Sequence, residues 1–323
     1  MYLIARRPRR YHVSQDTVEE LEAAILRDFR VAPASEGLLQ AGAGLLTRGA
    51  SRLGLDAGKL LRAGSRDPRK IDPHRDYFAV MMNLDASRTA PWFMRDARKS
   101  VYLFDAWHAK HRQIVDFVEA WGIQYAFVSS SQAAESLSRI SERCTFIWVP
   151  EGIDPSRYQH RSPLERDIDV LQLGRKYDAY HVMIEPALRK AGRTYVYEKA
   201  KGSIIFPTRA EFISGLARSR ISVCVPSSVT HPDRAGDIET MTIRYLQSIV
   251  SKCLVVGHAP AEMVELFGYN PVVEIDIAAA GEQIVDLLAN YDDFVPLIEK
   301  NFATVTELHT WDRRWERIAS VLF

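Results

Sequence analysis

The sequence predicts an α/β protein made of two units of similar size, each a doubly wound parallel sheet, which face each other across a cleft. Two observations lead to this prediction. Short apolar runs of strand composition alternate with helical segments over most of the chain, and such alternation is typical of parallel sheets covered by helices on both faces. A polar stretch that contains proline, residues 151–167, divides the runs into two series.

The composition is that of a globular protein with balanced charge. The 323 residues include 42 Lys and Arg against 41 Asp and Glu, and such a length predicts about two domains. The balance gives no reason to expect nucleic-acid binding, which needs a basic excess or stripe. The cysteines Cys144, Cys224 and Cys253 lack metal-binding spacing and are expected to be buried free thiols in a reducing compartment.

The sequence also shows no membrane span or secretory signal. No run approaches the roughly 18 apolar residues of a membrane span. Residues 1–11 place four apolar residues before a basic cluster, which is the reverse of a signal peptide. We therefore expect a cytoplasmic protein.

The first unit is expected to begin with helices. Residues 14–29 have apolar residues on one helical face, and Ser14 or Asp16 supplies the cap. Residues 37–63 contain leucines that recur every seven positions, together with several arginines. We interpret this segment as a packing helix. The alternative is a basic amphipathic helix in peripheral contact with a membrane surface.

Four predicted strands follow, separated by helical stretches such as HAKHRQIVDFVEAW. They are residues 77–84, 101–107, 125–130 and 145–150. Ligands of open α/β sheets bind at the carboxyl ends of the strands, so Asp105, Trp107 and His108 are candidate site residues. His108 has the chemistry of a general base or a sugar contact, and a local hydrogen bond at a helix start explains it equally well.

The second series contains five predicted strands, again with helices between them. They are residues 169–174, 193–199, 221–226, 253–257 and 271–276. The chain closes with a helix whose apolar residues share one face: Trp311, Trp315, Ile318 and Leu322. We interpret this face as a docking surface rather than as a ligand site.

The segment HPDRAGDIETMTIRYLQ, residues 231–247, predicts a helix that starts at about Thr240. Its buried face is expected to contain Ile243, Leu246 and Val250. Its opposite face is expected to contain Arg244, Gln247, Ser248 and Ser251. The free N–H groups and positive dipole end of such a helix suit a diphosphate, with Glu239 just before them. A capped surface helix is the plainer interpretation.

Other segments give weaker or negative signals. Gly174 ends a strand and allows the backbone to approach a ligand, and Arg175 has the fork geometry that binds phosphate oxygens. Asp167 and Asp169 have a D-x-D spacing, but they lie at the amino end of a strand, so we expect no metal there. The motifs GxxxxGK[ST], GxSxG and HExxH are absent, which disfavours kinases, triad hydrolases and metalloproteases, and a dehydrogenase is also disfavoured.

The segment DIETMTIRYLQSIVSKCLVVGHAPAEM resembles the donor motif of GT-B glycosyltransferases. The likeness is closest to the group-1 branch that includes the spore-maturation CgeB-like enzymes. The wider retaining family, the family-4-like enzymes, has Glu-x7-Glu here, a spacing that falls on Glu239 and Gln247. Four more segments resemble other elements of the family and support the same likeness: VPEGIDPSRY, DIDVLQLGR, FDAWH and HTWDRRW. Together these segments cover roughly residues 70–323.

The resemblance implies an organisation and an activity. It implies Rossmann-like domains at residues 1–155, on the acceptor side, and at 156–305, on the donor side, with a helix at 306–323 that returns to the first domain. The implied activity is transfer of a sugar from a nucleotide-diphosphate sugar to a hydroxyl acceptor (a glycan, a lipid-linked or a small molecule), with retention and without a metal or other cofactor. Two alternatives are a non-enzymatic nucleotide-sugar-binding or scaffold protein and a nucleotide-sugar epimerase of the same fold.

The resemblance also implies roles for residues on the donor side. Glu239 would contact hydroxyl groups of the donor sugar, and Gln247 would replace the glutamate that holds the ribose. Arg175 and Arg244 would neutralise the diphosphate leaving group, where charge develops in the transition state. Further donor contacts are implied for Gly174, Ser228, Thr240 and Thr242.

On the acceptor side, His108 would lie near the reacting carbon or the acceptor, together with Asp105 and Trp107. Two positions of the donor motif depart from the family pattern. Gln247 is neutral where the family has a glutamate, and Lys252 stands where glycine is usual. If that helix end requires a left-handed conformation, a lysine there costs about 1 kcal/mol.

Overall fold

The computed structural model describes residues 1–5, 15–34, 76–82, 84, 89, 92–173, 176–200 and 203–323. They form two compact units. The first contains most of the described chain up to Pro150 together with Trp315–Phe323, and the second contains Glu151–Arg314. The cap at Ser14 and the helix and membrane contact predicted for residues 37–63 lie outside the described residues.

The first unit contains, among its described residues, a six-stranded parallel sheet of order β2-β1-β3-β4-β5-β6. The strands are β1 (Tyr2–Ile4), β2 (Ala32–Pro33), β3 (Asp76–Met81), β4 (Arg98–Leu103), β5 (Tyr125–Val128) and β6 (Thr145–Trp148). Its helices include α1 (Asp16–Leu26), α2 (His111–Trp121) and α3 (Ser131–Ile140). The central strands are buried at nearly every position, which explains why they are continuous apolar runs in the sequence.

The second unit contains a five-stranded parallel sheet of order β11-β10-β9-β7-β8 within its described residues. The strands are β7 (Ile168–Gln172), β8 (Tyr195–Tyr197), β9 (Ser219–Cys224), β10 (Leu254–Gly257) and β11 (Val273–Glu274). The helices are α4 (Asp178–Lys190), α5 (Arg209–Ala217), α6 (Ser227–Thr230), α7 (Pro232–Ala235), α8 (Ile243–Val250), α9 (Ala261–Phe267), α10 (Ala280–Ala289) and α11 (Val295–Leu308), and α12 (Trp311–Leu322) closes the chain.

Apolar side chains cover both faces of the second sheet. On one face, Ile184 of α4 and Ile284 of α10 pack in a cluster with Val170 of the sheet. On the other face, Leu246 of α8 packs in a cluster with Val255. Burial of one such side chain stabilises the fold by about 1.5–3 kcal/mol. Helix α8 is thereby fixed against this face of the sheet, with Arg244 of its first turn at the carboxyl ends of the strands.

The structure confirms the predicted fold class, with differences at the ends of elements. Strand β4 starts at Arg98 rather than at residue 101 and ends at Leu103, so that Asp105 and Trp107 lie beyond it. Strands β1 and β2 are not expected from the sequence, because runs of two or three residues are too short to show an alternating pattern. The domain boundaries at residues 155 and 305 stay predictions.

Three further expectations concern burial. Cys144, Cys224 and Cys253 are buried free thiols, as predicted, and burial raises the pKa of Cys253 to about 12. Trp311 and Trp315 of α12 are also buried, as the pattern of apolar residues indicates. Within the described part of the chain, each helix is too short or too polar to cross a lipid bilayer.

Candidate functional site

The second sheet reverses its strand order between β7 and β9. From β7 the chain moves to β8 on one side, and then to β9, β10 and β11 on the other. In open α/β sheets the crevice at such a reversal, at the carboxyl ends of the strands, is the preferred ligand site. The segments that follow β7, β9 and β10 meet at this edge, and the predicted donor residues lie on the first two.

Glu239 lies on the segment between α7 and α8 and is partly exposed. Its Oε1 accepts a long hydrogen bond from Ser228 Oγ at 3.5 Å. The same oxygen is 3.3 Å from Nε2 of His258, the residue that follows β10. The structure thus brings Ser228 and Glu239 together, as the two donor contacts require, and adds a histidine that the sequence did not indicate.

Arg244, in the first turn of α8, also reaches this edge. Its Nη1 donates to the carbonyl oxygen of Leu173, the residue after β7, at 3.3 Å. The same guanidinium opposes the burial that raises the pKa of the Cys224 thiol at the end of β9. Arg244 therefore links the ends of β7 and β9 and places a positive charge between them.

The start of α8 differs from the prediction. The helix begins at Ile243, with Thr242 as its extended N-cap residue, and not at about Thr240. Its nearby backbone donors are engaged within the protein. Met241 N donates to Glu262 Oε1 at 2.8 Å, and Ile243 N donates to Glu151 Oε2 at 2.8 Å. These two N–H groups are therefore occupied by carboxyl oxygens rather than presented to a diphosphate.

Thr240 and the hydroxyl group of Thr242 are also buried. Thr240 is 5% exposed. The Thr242 hydroxyl is buried and, among the described residues, has no hydrogen-bond partner. Their predicted role as donor contacts stays a prediction.

The predicted faces of α8 are only partly correct. Ile243, Leu246 and Val250 are buried, as expected. The opposite face was expected to be accessible, and this is wrong: Gln247 is 1% exposed, and Ser248 and Ser251 are fully buried. Ser248 faces the sheet, where its Oγ lies 2.7 Å from that of Ser222 on β9, and Tyr158 covers Gln247.

Gln247 has a structural partner in this position. Its Nε2 donates to the hydroxyl of Tyr158 at 2.9 Å, in a buried environment. A side chain that is closed off in this way is not available to a ribose in this conformation. The ribose contact of Gln247 stays a prediction, and the geometry gives the residue a role in packing.

Two predicted donor residues, Gly174 and Arg175, lie outside the described residues. Their neighbours on both sides are described. Leu173 O accepts from Arg244, and Lys176 Nζ lies 5.3 Å from the ring centroid of Tyr197. The acids of the D-x-D sequence pair with arginines instead. Asp167 Oδ2 lies 2.5 Å from Arg218 Nη2, and this hydrogen bond lowers the pKa of the carboxyl.

The predicted acceptor-side residues lie together after β4 in the first unit. Asp105 has a left-handed backbone, with φ of 51°, a conformation that aspartate tolerates better than most residues. Trp107 is 4% exposed, so it serves mainly as part of the core. His108 is exposed and begins a short 3-10 turn, with its ring centroid 5.4 Å from that of His111.

His111 is the buried member of this histidine pair. Its Nε2 lies 3.1 Å from the carbonyl oxygen of Ala106, to which it donates. Burial lowers the pKa of His111, and the nearby His108 acts in the same direction. Asp105 also lines a shallow depression, together with Lys110 and apolar side chains of β3, β4 and α2. Of the predicted residues here, Asp105 and His108 are the accessible ones.

Sequence reasoning missed His258 and Glu274. His258 Nδ1 lies 3.0 Å from Glu274 Oε2, so its ring bridges Glu274 and Glu239. The signal for His258 is its position directly after the strand CLVVG, at the carboxyl end where ligands bind. Glu274 carries no comparable signal, since it ends a strand of two residues.

Comparison with known proteins gives similarity in structure alone. No family model and no curated protein sequence matches the chain. Among solved structures, HepE of Anabaena in complex with UDP-glucose aligns with 99% of this chain and 98% of its own, at 11% identity and a TM-score of 0.58. Sucrose-phosphate synthase from Thermosynechococcus elongatus aligns with 83% of this chain and 76% of its own, at 11% identity and a TM-score of 0.53.

A further similar structure is a point mutant of S. aureus TarM in complex with fondaparinux, alpha-GlcNAc-glycerol and UDP. It aligns with 76% of this chain at 10% identity and a TM-score of 0.52. This chain spans only about half of the length of TarM, 55% of which is covered. Identities this low show similarity of fold, and the fold that these structures share with the chain is the two-domain α/β fold of the GT-B glycosyltransferases.

Proposed function

We propose that this chain is a glycosyltransferase that moves a sugar from a nucleotide-diphosphate-sugar donor to the hydroxyl group of an acceptor. The observation that supports this best is the position of Glu239, Ser228 and Arg244. They meet at the carboxyl edge of the second sheet, beside its reversal of strand order, on a fold that solved glycosyltransferase structures share.

Two of the similar structures support a UDP-sugar as the donor. HepE holds UDP-glucose, and it aligns with this chain over nearly the whole length of both proteins. The TarM mutant holds UDP together with alpha-GlcNAc-glycerol, which supports an acceptor that carries hydroxyl groups. Fold similarity alone does not assign a substrate, so the donor and acceptor are parts of the proposal.

The chemistry assigned to each residue follows from its position. Glu239 offers carboxylate oxygens that accept hydrogen bonds from sugar hydroxyls. Arg244 and Arg175 supply positive charge for the diphosphate, on which negative charge develops as the glycosidic bond breaks. His108 of the first unit has an exposed imidazole that suits contact with an acceptor hydroxyl.

Retention of the anomeric configuration and independence of metal ions are further parts of the proposal. Both rest on the resemblance of residues 239–247 to the donor motif of the retaining family. Arginine side chains are able to provide the charge that a metal ion supplies to a diphosphate in other enzymes.

The proposal is tested with UDP-, GDP-, dTDP-, CMP- and ADP-sugars. A bound donor is expected to raise the melting temperature of the full chain by mass action. With the donor so identified, Glu239→Ala and Arg244→Ala are expected to lower kcat/KM by about 10²-fold or more, because each removes a group that faces developing charge or the sugar. Arg189→Ala on the exposed face of α4 serves as the control.

The outcomes separate the three candidate functions. Unchanged turnover in both Glu239→Ala and Arg244→Ala would contradict the proposed site. Tight binding of a nucleotide sugar, without transfer to any of a broad panel of acceptors, would instead support a binding protein. Conversion of the nucleotide sugar without an acceptor would support an epimerase.

A further inference from the structure

His258 lies directly after β10, with its imidazole between two carboxyl groups. Nε2 is 3.3 Å from Glu239 Oε1, and Nδ1 is 3.0 Å from Glu274 Oε2. The His258 side chain is 41% exposed and that of Glu239 27%, so both are reachable from solvent. The ring thus connects the candidate sugar-binding carboxylate with a second acid outside the predicted site.

The backbone of His258 is fixed from two sides. Its N–H donates to the carbonyl oxygen of Cys224, at the end of β9, at 3.1 Å. Its carbonyl oxygen accepts from the hydroxyl of Tyr245, which is 1% exposed, at 2.8 Å. The preceding Gly257 packs so tightly that an added Cβ would lie 1.7 Å from Cys224 O. His258 therefore projects from a rigid point of the sheet.

Glu274 holds the orientation of the ring. While Oε2 faces His258 Nδ1, its Oε1 accepts from Ala259 N at 3.0 Å and from Asn270 Nδ2 at 3.1 Å. A carboxyl group with both oxygens engaged in this way has little freedom to turn. The Nε2 of His258 is consequently directed at Glu239 by contacts that do not involve Glu239 itself.

Glu239, in contrast, lies on an irregular segment of the backbone. It belongs to the segment between α7 and α8, which has no regular secondary structure. Its hydrogen bond from Ser228 is 3.5 Å long, at the limit for such a bond. The ion-pair contact of 3.3 Å with His258 comes from a rigid element. We therefore expect the position of the Glu239 carboxylate to depend on His258, and not the reverse.

We propose that His258 is a positioning residue of the donor site, which holds the Glu239 carboxylate through Nε2 in the orientation that accepts hydroxyl groups of the donor sugar. This rests on the proposed function. A carboxylate has two oxygens and about four lone-pair sites, so the contact with His258 Nε2 leaves acceptor capacity for the sugar. His258 acts on the sugar end of the donor, and it does not bind the nucleotide.

The test compares two substitutions that differ in which nitrogen they imitate. His258→Gln places an amide N–H near the position of Nε2, facing Glu239, whereas His258→Asn places its polar group near Nδ1, facing Glu274. We expect His258→Asn to lower kcat/KM for the UDP-sugar about tenfold, and His258→Gln to stay within about threefold of the wild type. The affinity for UDP alone is expected to be the same in all three proteins.

A double-mutant cycle with Glu239→Ala supplies the second measurement. If His258 acts through Glu239, His258→Asn has no further effect on kcat/KM once Glu239 is removed, so the two fold-changes do not multiply. Multiplying fold-changes would overturn the proposal. So would a loss of UDP affinity that parallels the loss of turnover, because that result indicates a general structural role.

The contact itself is read in the free protein by imidazole ¹⁵N NMR. Glu239→Gln is expected to shift the Nε2 resonance of His258, assigned by its absence in His258→Gln, while the control Glu299→Gln leaves it in place. An unshifted resonance would overturn the proposal. If the wild-type chain neither binds nor turns over any nucleotide sugar, the proposed function fails and this role fails with it. If the wild type is active but the fold-changes of His258→Asn and Glu239→Ala multiply, only the proposed role of His258 is wrong.

Discussion

At the scale of single residues, the predicted donor motif contains a position where the sequence departs from the family that it resembles and where the backbone is strained. Lys252 has a left-handed backbone, with φ of 54°, at the end of α8, where the family usually has glycine. Its Nζ lies 2.7 Å from Glu299 Oε2 and 4.7 Å from the ring centroid of Phe302. The side chain thus makes contacts that partly offset an unfavourable backbone.

The backbone cost is measured by comparing Lys252→Gly with Lys252→Ala. Both substitutions remove the contacts with Glu299 and Phe302, but only glycine is unstrained at this φ. We expect Lys252→Gly to be about 1 kcal/mol more stable than Lys252→Ala in urea unfolding. Relative to the wild type, Lys252→Ala is expected to lower the free energy of unfolding by about 0.2–1 kcal/mol, the usual contribution of a surface ion pair. Equal stability of the two variants would show that the position is not strained.

Residue by residue, the sequence predicted which side chains lie together at the candidate site better than it predicted how far each one is buried. Glu239, Ser228 and Arg244 were predicted together because they share the segment that follows one strand, and the carboxyl ends of parallel strands lie at one edge. Gln247 was expected on the face of α8 opposite to the buried one. Its burial depends on Tyr158, 89 positions earlier in the chain, and no local pattern shows such a partner.

At the scale of elements, apolar periodicity predicted most of the strands and helices but not the start of α8. Backbone N–H groups at a helix start need acceptors, and the sequence next to α8 offers Thr242 and Thr240 as caps. The structure uses instead Glu151, 92 positions before its partner Ile243, and Glu262, 21 positions after its partner Met241. Distant acceptors of this kind shift a helix start by several residues without a trace in the local sequence.

The role of Glu151 as a distant cap is tested by two substitutions. Glu151 is 6% exposed, and Ile243 is 8% exposed. Glu151→Ala leaves the Ile243 N–H buried without this acceptor, which costs about 1–3 kcal/mol. Glu151→Gln keeps an oxygen in the same place and is expected to cost less. Thermal unfolding of both variants measures the difference, and an equal loss would mean that the charge of Glu151, and not this hydrogen bond, is what stabilises α8.

At the scale of the whole molecule, the chain combines two parallel sheets with histidines whose burial makes stability depend on pH. His309 is 3% exposed and stacks on Phe267, with ring centroids 4.7 Å apart. Burial, assisted by the nearby Arg314, lowers its pKa to about 4. Loss of hydration also lowers the pKa values of the buried His111 and of the more exposed His160 and His181.

A lowered histidine pKa makes the folded protein less stable in acid. In the unfolded chain His309 takes up a proton as the pH falls through about 6.5, whereas the folded chain does so only near pH 4. Unfolding therefore binds protons between these values, and stability is full above pH 6.5 and falls towards pH 4. When the pH is lowered from 7.5 to 5.5, His309 alone is expected to lower the free energy of unfolding by about 1 kcal/mol.

Urea unfolding of the wild type and His309→Asn at the two pH values measures this contribution. Asparagine keeps an acceptor for Arg314, whose Nη2 donates to Nδ1 of His309 at 2.8 Å, but it does not titrate. The variant is expected to lose about 1 kcal/mol less than the wild type on acidification, because the other histidines contribute equally to both. If the stability of the two proteins depends on pH in the same way, His309 is not a source of the loss of stability in acid.

The carboxyl oxygens at the start of α8 also bear on how the donor site is able to change. Glu151 and Glu262 already occupy backbone donors there, so in the proposed function a diphosphate is held mainly by side chains such as Arg244. A backbone N–H is present whatever the residue, whereas a side chain is exchanged by a single substitution. If the proposed function holds, the preference for the leaving group is thus open to stepwise alteration in evolution or by design, without any change in the helix that lies beneath it.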